Sequence, residues 1–153
     1  RKNHYEGVID VMDRLTRIIK PKKIFMGEKD LQQLYLVKKY LKNRSKANII
    51  ACKTIRNKNK LALSSRNYLL NKKDLNKAGK IAKDIITFKK NLLDENNLVK
   101  LIKKKKELKK KYNINIQYFE LRDRYNLKHT KKIKNSNIFI AYYLNKVRLI
   151  DNY

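Results

Sequence analysis

The feature that most constrains this chain is a strand–helix–strand pattern between residues 22 and 55. KKIFMG reads as a short buried strand ending at Gly27. DLQQLYLVKKYLKNRS then returns to helical spacing, with Leu31, Leu34, Val37 and Leu41 on one face. ANIIACKTI follows as a second buried strand, rich in β-branched residues. Two strands and a helix within about 30 residues make a βαβ unit, so the strands are expected to be parallel, with a right-handed crossover. Ligands of such sheets bind beyond the carboxyl ends of the strands, beside helix N-termini. GEKD, residues 27–30, falls at that edge, and so does the segment RNKNKLALSSRN after the second strand.

On either side the periodicity is equally readable. Residues 4–20 carry Val8, Val11, Met12, Leu15, Ile18 and Ile19 at helical spacing, and Pro21 stops the run. Asn71 can cap a helix reaching about residue 92, with Leu75, Ala78, Ile81, Ala82 and Ile85 inward. A further helix is expected over about 94–111, where lysines interleave with Leu98, Leu101, Ile102 and Leu108. INIQYFELRD, NIFIAYYL and VRLID read as strands, with Asn145-Lys146 a tight turn between the last two. The fold class is therefore α/β: a parallel βα unit, then a small α+β domain with an antiparallel sheet. The expected division is 1–62 and 63–153.

Charge enters as a warning about partners. The 153 residues hold 41 Lys+Arg against 13 Asp+Glu, a net charge of +28. Alone, that suggests a polyanion. However, lysine far outnumbers arginine, Asn and Ile are abundant, and no nucleic-acid signature is present. Compositional bias explains the charge better, and a basic nucleic-acid-binding module is kept as the alternative. The lysine run KKKKELKKK has no interleaved aromatics and reads as a solvated helix face. The lone Cys52 excludes an internal disulfide or a CxxC metal site and reads as a small buried hydrophobe. No apolar run is long enough to span a bilayer, which suits a cytoplasmic protein, and an Arg rather than a Met at position 1 suggests a piece of a longer chain.

Two polar groupings carry the chemistry. A lysine at a helix N-terminus opposes the macrodipole, so Lys29 makes sense if an anion lies between them. Asp30 can then hold a metal-bound water or orient a ribose, and Gln32 or Gln33 can bind a small polar substrate. An ordinary cap by Asp30 with a solvated Lys29 fits the spacing equally well. Ser64, Ser65 and Arg66 offer two hydroxyls and a guanidinium fork, a second phosphate-friendly grouping. A pair of capping serines with a surface arginine is the bland alternative. Both groupings end consecutive strands of one βαβ unit, which favours a nucleotide polyphosphate over coincidence. Ile55, near the end of the second strand, can offer backbone contacts to a base. No nucleophile–His–Asp set is visible, and the two histidines without a cysteine pair make a zinc site improbable.

The blocks RKNHYEGVIDVMDRL, PKKIFMGEKDLQQL, TIRNKNKLALSSRNYLL and NKVRLIDNY resemble the pantothenate synthetases (pantoate–β-alanine ligases), in that family's order and spacing. The resemblance covers this whole chain but only about the C-terminal half of such an enzyme. It implies a nucleotidyltransferase-like fold akin to class I aminoacyl-tRNA synthetases. It implies activation of pantoate by ATP, with Mg²⁺, to pantoyl adenylate and pyrophosphate, then displacement of AMP by β-alanine. It also implies a homodimer for the full-length enzyme; no membrane partner is expected, and a nucleic-acid partner is disfavoured despite the charge. By position, Gly27, Glu28, Lys29 and Asp30 match the ATP-contacting block and Gln33 the pantoate glutamine. Ile55 matches a residue at the adenine, and Leu63, Ser64, Ser65 and Arg66 the mobile phosphate-binding loop. Lys29, Ser65 and Arg66 would stabilise charge on the reacting phosphates.

The chain departs from the family pattern in places. The half with the family's HxGH block is absent, so little or no turnover is expected from these residues alone. Lys60 stands where the family usually has glycine, and Asn59 where it often has an acid. Asp10 replaces a usual threonine and Leu69 a usual tyrosine. If position 60 needs positive φ, Lys60 stiffens the loop; otherwise it adds a phosphate contact.

Overall fold

The computed structural model describes residues 4–92 and 97–153. The chain folds as two compact units, Arg1–Thr54 and Ile55–Tyr153.

In the first unit, helix α1 (His4–Ile19) precedes strand β1 (Lys23–Gly27). Lys20 closes the helix in the left-handed region at φ 47, with its N–H donating to Thr16 O at 3.0 Å, and Pro21 prevents continuation. A 3-10 turn, Glu28–Asp30, leads into helix α2 (Leu31–Leu41), and strand β2 (Asn48–Cys52) follows. β1 and β2 pair in parallel, Lys23 opposite Asn48 through Gly27 opposite Cys52. Leu31, Leu34, Val37 and Leu41 are all buried, as the spacing of α2 requires.

The strands themselves are less buried than their composition suggests. Lys23, Phe25 and Gly27 are exposed while Ile24 and Met26 are half-covered, and Cys52 is also only half-buried. Within α1 Thr16 alone is fully buried among the described residues, and Val11, Leu15, Ile18 and Ile19 are exposed. The reason is topological. A parallel sheet is normally sandwiched on both faces, and this unit supplies two strands and two helices, too few to cover both.

In the second unit a 3-10 turn, Ser65–Leu69, precedes helix α3 (Lys72–Lys90). The Asn71 side chain caps α3 by accepting from Asp74 N at 2.8 Å. Helix α4 (Asn97–Tyr112) begins immediately after residues 93–96, so the expected start near 94 lies outside the described residues. Strands β3 (Asn115–Asp123), β4 (Ser136–Leu144) and β5 (Val147–Asn152) form an antiparallel sheet in that order. Asn145 takes φ 51 in the β4–β5 turn, and its amide donates to the buried Asp74 carboxylate at 2.7 Å. That bond fastens the turn to the first turn of α3. Ile81 and Ile85 of α3 and Leu101 and Leu108 of α4 share one core with Ile116, Phe119, Ile138, Ile140 and Leu149 of the sheet. The α4 lysines lie outside it. Lys104 pairs with Glu107 at 2.7 Å and Lys111 with Asp84 at 2.8 Å, while Leu98 and Ile102 are exposed. No helix among the described residues is long and apolar enough to cross a membrane.

Candidate functional site

The Gly-Glu-Lys-Asp turn occupies the carboxyl end of β1 and the N-terminus of α2, where a βαβ unit presents backbone N–H groups. Gly27 has an ordinary extended backbone (φ −71, ψ 134), and a Cβ built on it would meet nothing within 4 Å. Neither conformation nor packing among the described residues therefore demands glycine there, and the open space leaves room for a ligand to approach the backbone closely.

Asp30 sits at the cap position of α2, yet its side chain makes no capping hydrogen bond. The ordinary-cap alternative is thus not what the structure adopts. Its carboxylate instead lies 3.9 Å from the Lys29 ammonium, whose side chain is 18 % exposed. The two adjacent glutamines differ. Gln32 Oε1 accepts from the Tyr5 hydroxyl of α1 at 2.6 Å, whereas Gln33 makes no side-chain hydrogen bond among the described residues.

The same unit also has a cavity of about 610 Å³ lined by Arg17, Lys20, Pro21, Lys22, Arg44 and Lys46, among others. It opens at the amino ends of β1 and β2, the edge opposite GEKD, and faces the C-terminal ends of α1 and α2. Helix C-termini carry partial negative charge, which disfavours an anion despite the lysines.

The second grouping lies in the other unit. Ile55 follows β2 by three residues and is exposed, as is Leu63. Residues 55–63 form a tight hairpin. Arg56 bridges antiparallel to Ala62, Asn57 N donates to Leu61 O, and Leu63 N donates to Ile55 O, the last two at 2.9 Å. The Asn57 side chain stitches the bend by accepting from Asn59 N and Leu61 N. Ser64 Oγ accepts from Arg66 N at 3.3 Å, so one serine does cap the following 3-10 turn. Ser65 is exposed, and Arg66 is half-buried, donating from Nη1 to Arg148 O of β5 at 3.3 Å.

Lys60 adopts φ 67, the conformation in which glycine is favoured. A non-glycine residue there costs roughly 1–2 kcal/mol, part of which glycine returns as chain entropy. Lys60→Gly is accordingly expected to raise stability by about 0.5–1 kcal/mol in urea denaturation; a lower urea midpoint would refute the strain.

Three residues of this region escape a reading by motif. Arg56 forks onto the buried Asp151 of β5, Gly79 of α3 lies directly against Asn59, and Asn57 holds the bend. The available signals were a lone glycine inside a helical pattern and a lone carboxylate in an apolar strand.

These features define an α/β protein with its polar, glycine-containing turn at the ligand-binding edge of a parallel βαβ unit. Comparison with known proteins narrows the class. The family model described as pantoate-beta-alanine ligase matches residues 1–153. The chain belongs to that family. It is 37% identical over 155 residues to a pantothenate synthetase of Campylobacter hominis, covering 99% of this chain and 56% of the relative. A pantothenate synthetase of Clostridium botulinum is 39% identical over 162 residues, covering 100% and 56%. Among solved structures, pantothenate synthetase from Thermus thermophilus superposes with a TM-score of 0.89 at 24% identity, covering 100% of this chain and 56% of that one, a likeness of fold. The pantoate-beta-alanine ligase of Francisella tularensis, complexed with beta-gamma ATP and beta-alanine, gives a TM-score of 0.74 at 34% identity, covering 100% and 51%. The chain thus spans about half the length of the relatives it matches.

Proposed function

We propose that this chain is the ATP-handling C-terminal part of a pantoate–β-alanine ligase. In this reading the pantoate carboxylate attacks the α-phosphate of ATP, giving pantoyl adenylate and pyrophosphate. The amine of β-alanine then displaces AMP and forms the amide of pantothenate. Gly27, Glu28, Lys29, Asp30, Ile55, Leu63, Ser64, Ser65 and Arg66 contact ATP, and Gln33 holds pantoate. Lys29, Ser65 and Arg66 stabilise charge on the α-phosphate and the leaving pyrophosphate, which is electrostatic and positional catalysis. The division of labour follows residues 1–62 and 63–153. The full-length enzyme works as a cytoplasmic homodimer, and these residues alone turn over little or nothing without the HxGH-bearing half.

The observation that carries the reading is the GEKD turn: an open glycine at the carboxyl end of β1, then a carboxylate at the head of α2 that makes no capping bond. The uncommitted Gln33 amide agrees with the pantoate assignment. Mg²⁺ suits the same turn. Among the described residues no three His, Cys, Asp or Glu cluster as a metal site, and Mg²⁺ is commonly held by substrate phosphates with one or two carboxylates. Asp30 would take one of its bound waters, and the ion would offset phosphate charge.

Calorimetric titration of Mg-ATP into this chain at about 150 mM salt, with and without competing duplex DNA, tests the reading. Saturable binding that DNA does not displace is expected. Binding that DNA abolishes and that collapses with added salt would favour the basic nucleic-acid module instead.

A further inference from the structure

We infer that Arg56 and Asp151 form a clasp that positions the Ser64–Arg66 segment for the phosphates of ATP, which makes both of them positioning residues rather than catalytic ones. The inference rests on the ligase reading above, but its geometry lies wholly within the unit Ile55–Tyr153.

Arg56 Nη1 donates to Asp151 Oδ2 at 2.7 Å and Nη2 to Oδ1 at 3.0 Å, a bidentate pair joining residues 95 apart in sequence. Nη2 also donates to Asn152 O at 2.9 Å, and the guanidinium lies 4.6 Å from the Tyr153 ring centroid. The Asp151 side chain is 5% exposed. Burial opposes the charge on Arg56, but the Asp151 carboxylate outweighs it and holds the guanidinium above its usual pKa. Burial, then the Asp151 charge, pushes the Tyr153 phenol well above its ordinary range, and the same two causes raise the Tyr142 phenol. The cluster is therefore an ion pair walled by neutral phenols.

Stability alone does not account for such a pair, since apolar replacements of buried ion pairs are often neutral or better. Its directional contact with the hairpin does. Arg56 Nη1 also donates to Lys60 O at 3.1 Å, reaching across the bend. Arg56 is the neighbour of Ile55, whose carbonyl fixes Leu63 N, the residue before Ser64. At the other end Arg66 is tied to the carbonyl of Arg148, which lies on the same strand as Asp151. β5 thus holds residues 56–66 at both ends, and the two serines between them can shift little while the clasp is closed.

The test uses Asp151→Asn, which keeps shape and removes the charge, with Arg56→Lys as the milder partner. Amide hydrogen exchange at Leu61, Leu63 and Asn67 is expected to quicken about tenfold, a loss in line with a charged hydrogen bond, while Ile81 and Ile85 of α3 stay protected. Mg-ATP affinity is expected to fall about tenfold and adenosine affinity by clearly less, because the contacts of Ser64–Arg66 are misplaced while Ile55 stays close behind β2. Unchanged exchange at Leu63, or equal weakening of ATP and adenosine, overturns the clasp. If Ile81 and Ile85 also lose protection, Asp151→Asn has unfolded the unit, and Arg56→Lys decides by the same two readouts. Wild-type chain that binds no Mg-ATP overturns the ligase reading and the positioning role with it; wild-type binding with unaffected variants overturns the clasp alone.

Discussion

Gly79→Val lowers the stability of the second unit by about 3 kcal/mol, read from the urea midpoint, even though valine is the better helix former. Two effects compete at this position. Within a helix, glycine is the poorer residue by as much as ~1 kcal/mol relative to alanine and by a few tenths relative to valine. Against that, a Cβ on Gly79 would lie 2.8 Å from Asn59 Cβ and 3.2 Å from Asn59 O. Neither is the loose end of a side chain. Asn59 cannot retreat freely, because its N–H is held by Asn57 Oδ1 at 2.9 Å and the next residue carries the strained φ of 67. Overpacking of this kind typically costs about 1–3 kcal/mol, and branching at Cβ puts valine at the upper end. Alanine should lie between, with its helix gain offsetting part of the clash. Asn59→Gly removes the nearest atom, so the Gly79→Val loss should shrink by about 1 kcal/mol or more in the double variant. Simple additivity of the two changes would show that the contact is not the cause.

Lys29→Ala should reduce pantothenate formation by about two orders of magnitude in an enzyme reconstituted with the family's N-terminal half, the loss typical of removing one preorganised stabiliser of transition-state charge. Lys29→Arg keeps the charge but replaces a compact ammonium with a planar fork, so partial recovery is expected. Wild-type pantothenate formation by the alanine variant would sink the assignment of Lys29 to the reacting phosphates.

What is legible in the sequence and what is not separate along a physical line. Local rules can be read directly. Leu31, Leu34, Val37 and Leu41 turn inward because their spacing allows nothing else, Asn71 caps α3, and Asn145 turns the last hairpin. Expectations that depend on what lies across an element fare worse. The faces of β1 and β2 read as buried, yet these residues supply too few layers to bury them, and much of the apolar stripe of α1 is likewise exposed. GEKD and SSRN are visible as motifs because each is contiguous. Arg56 with Asp151, and Gly79 with Asn59, are not, because each pair is a contact between segments whose approach only the fold dictates. Lys60 stands between the two kinds: its departure from glycine is visible in the sequence, but the positive φ that gives it meaning is visible only in the fold.

The separation of 95 residues between Arg56 and Asp151 has a consequence in time as well as in space. Ribosomes add roughly 5–20 residues per second. The hairpin at 55–63 therefore emerges about 5–20 s before the carboxylate that fixes it can exist. Until β5 joins the sheet, the proposed clasp has no carboxylate to close on. On the ligase reading, the proposed phosphate loop is therefore not finished until β5 has been made, about 95 residues after its hairpin.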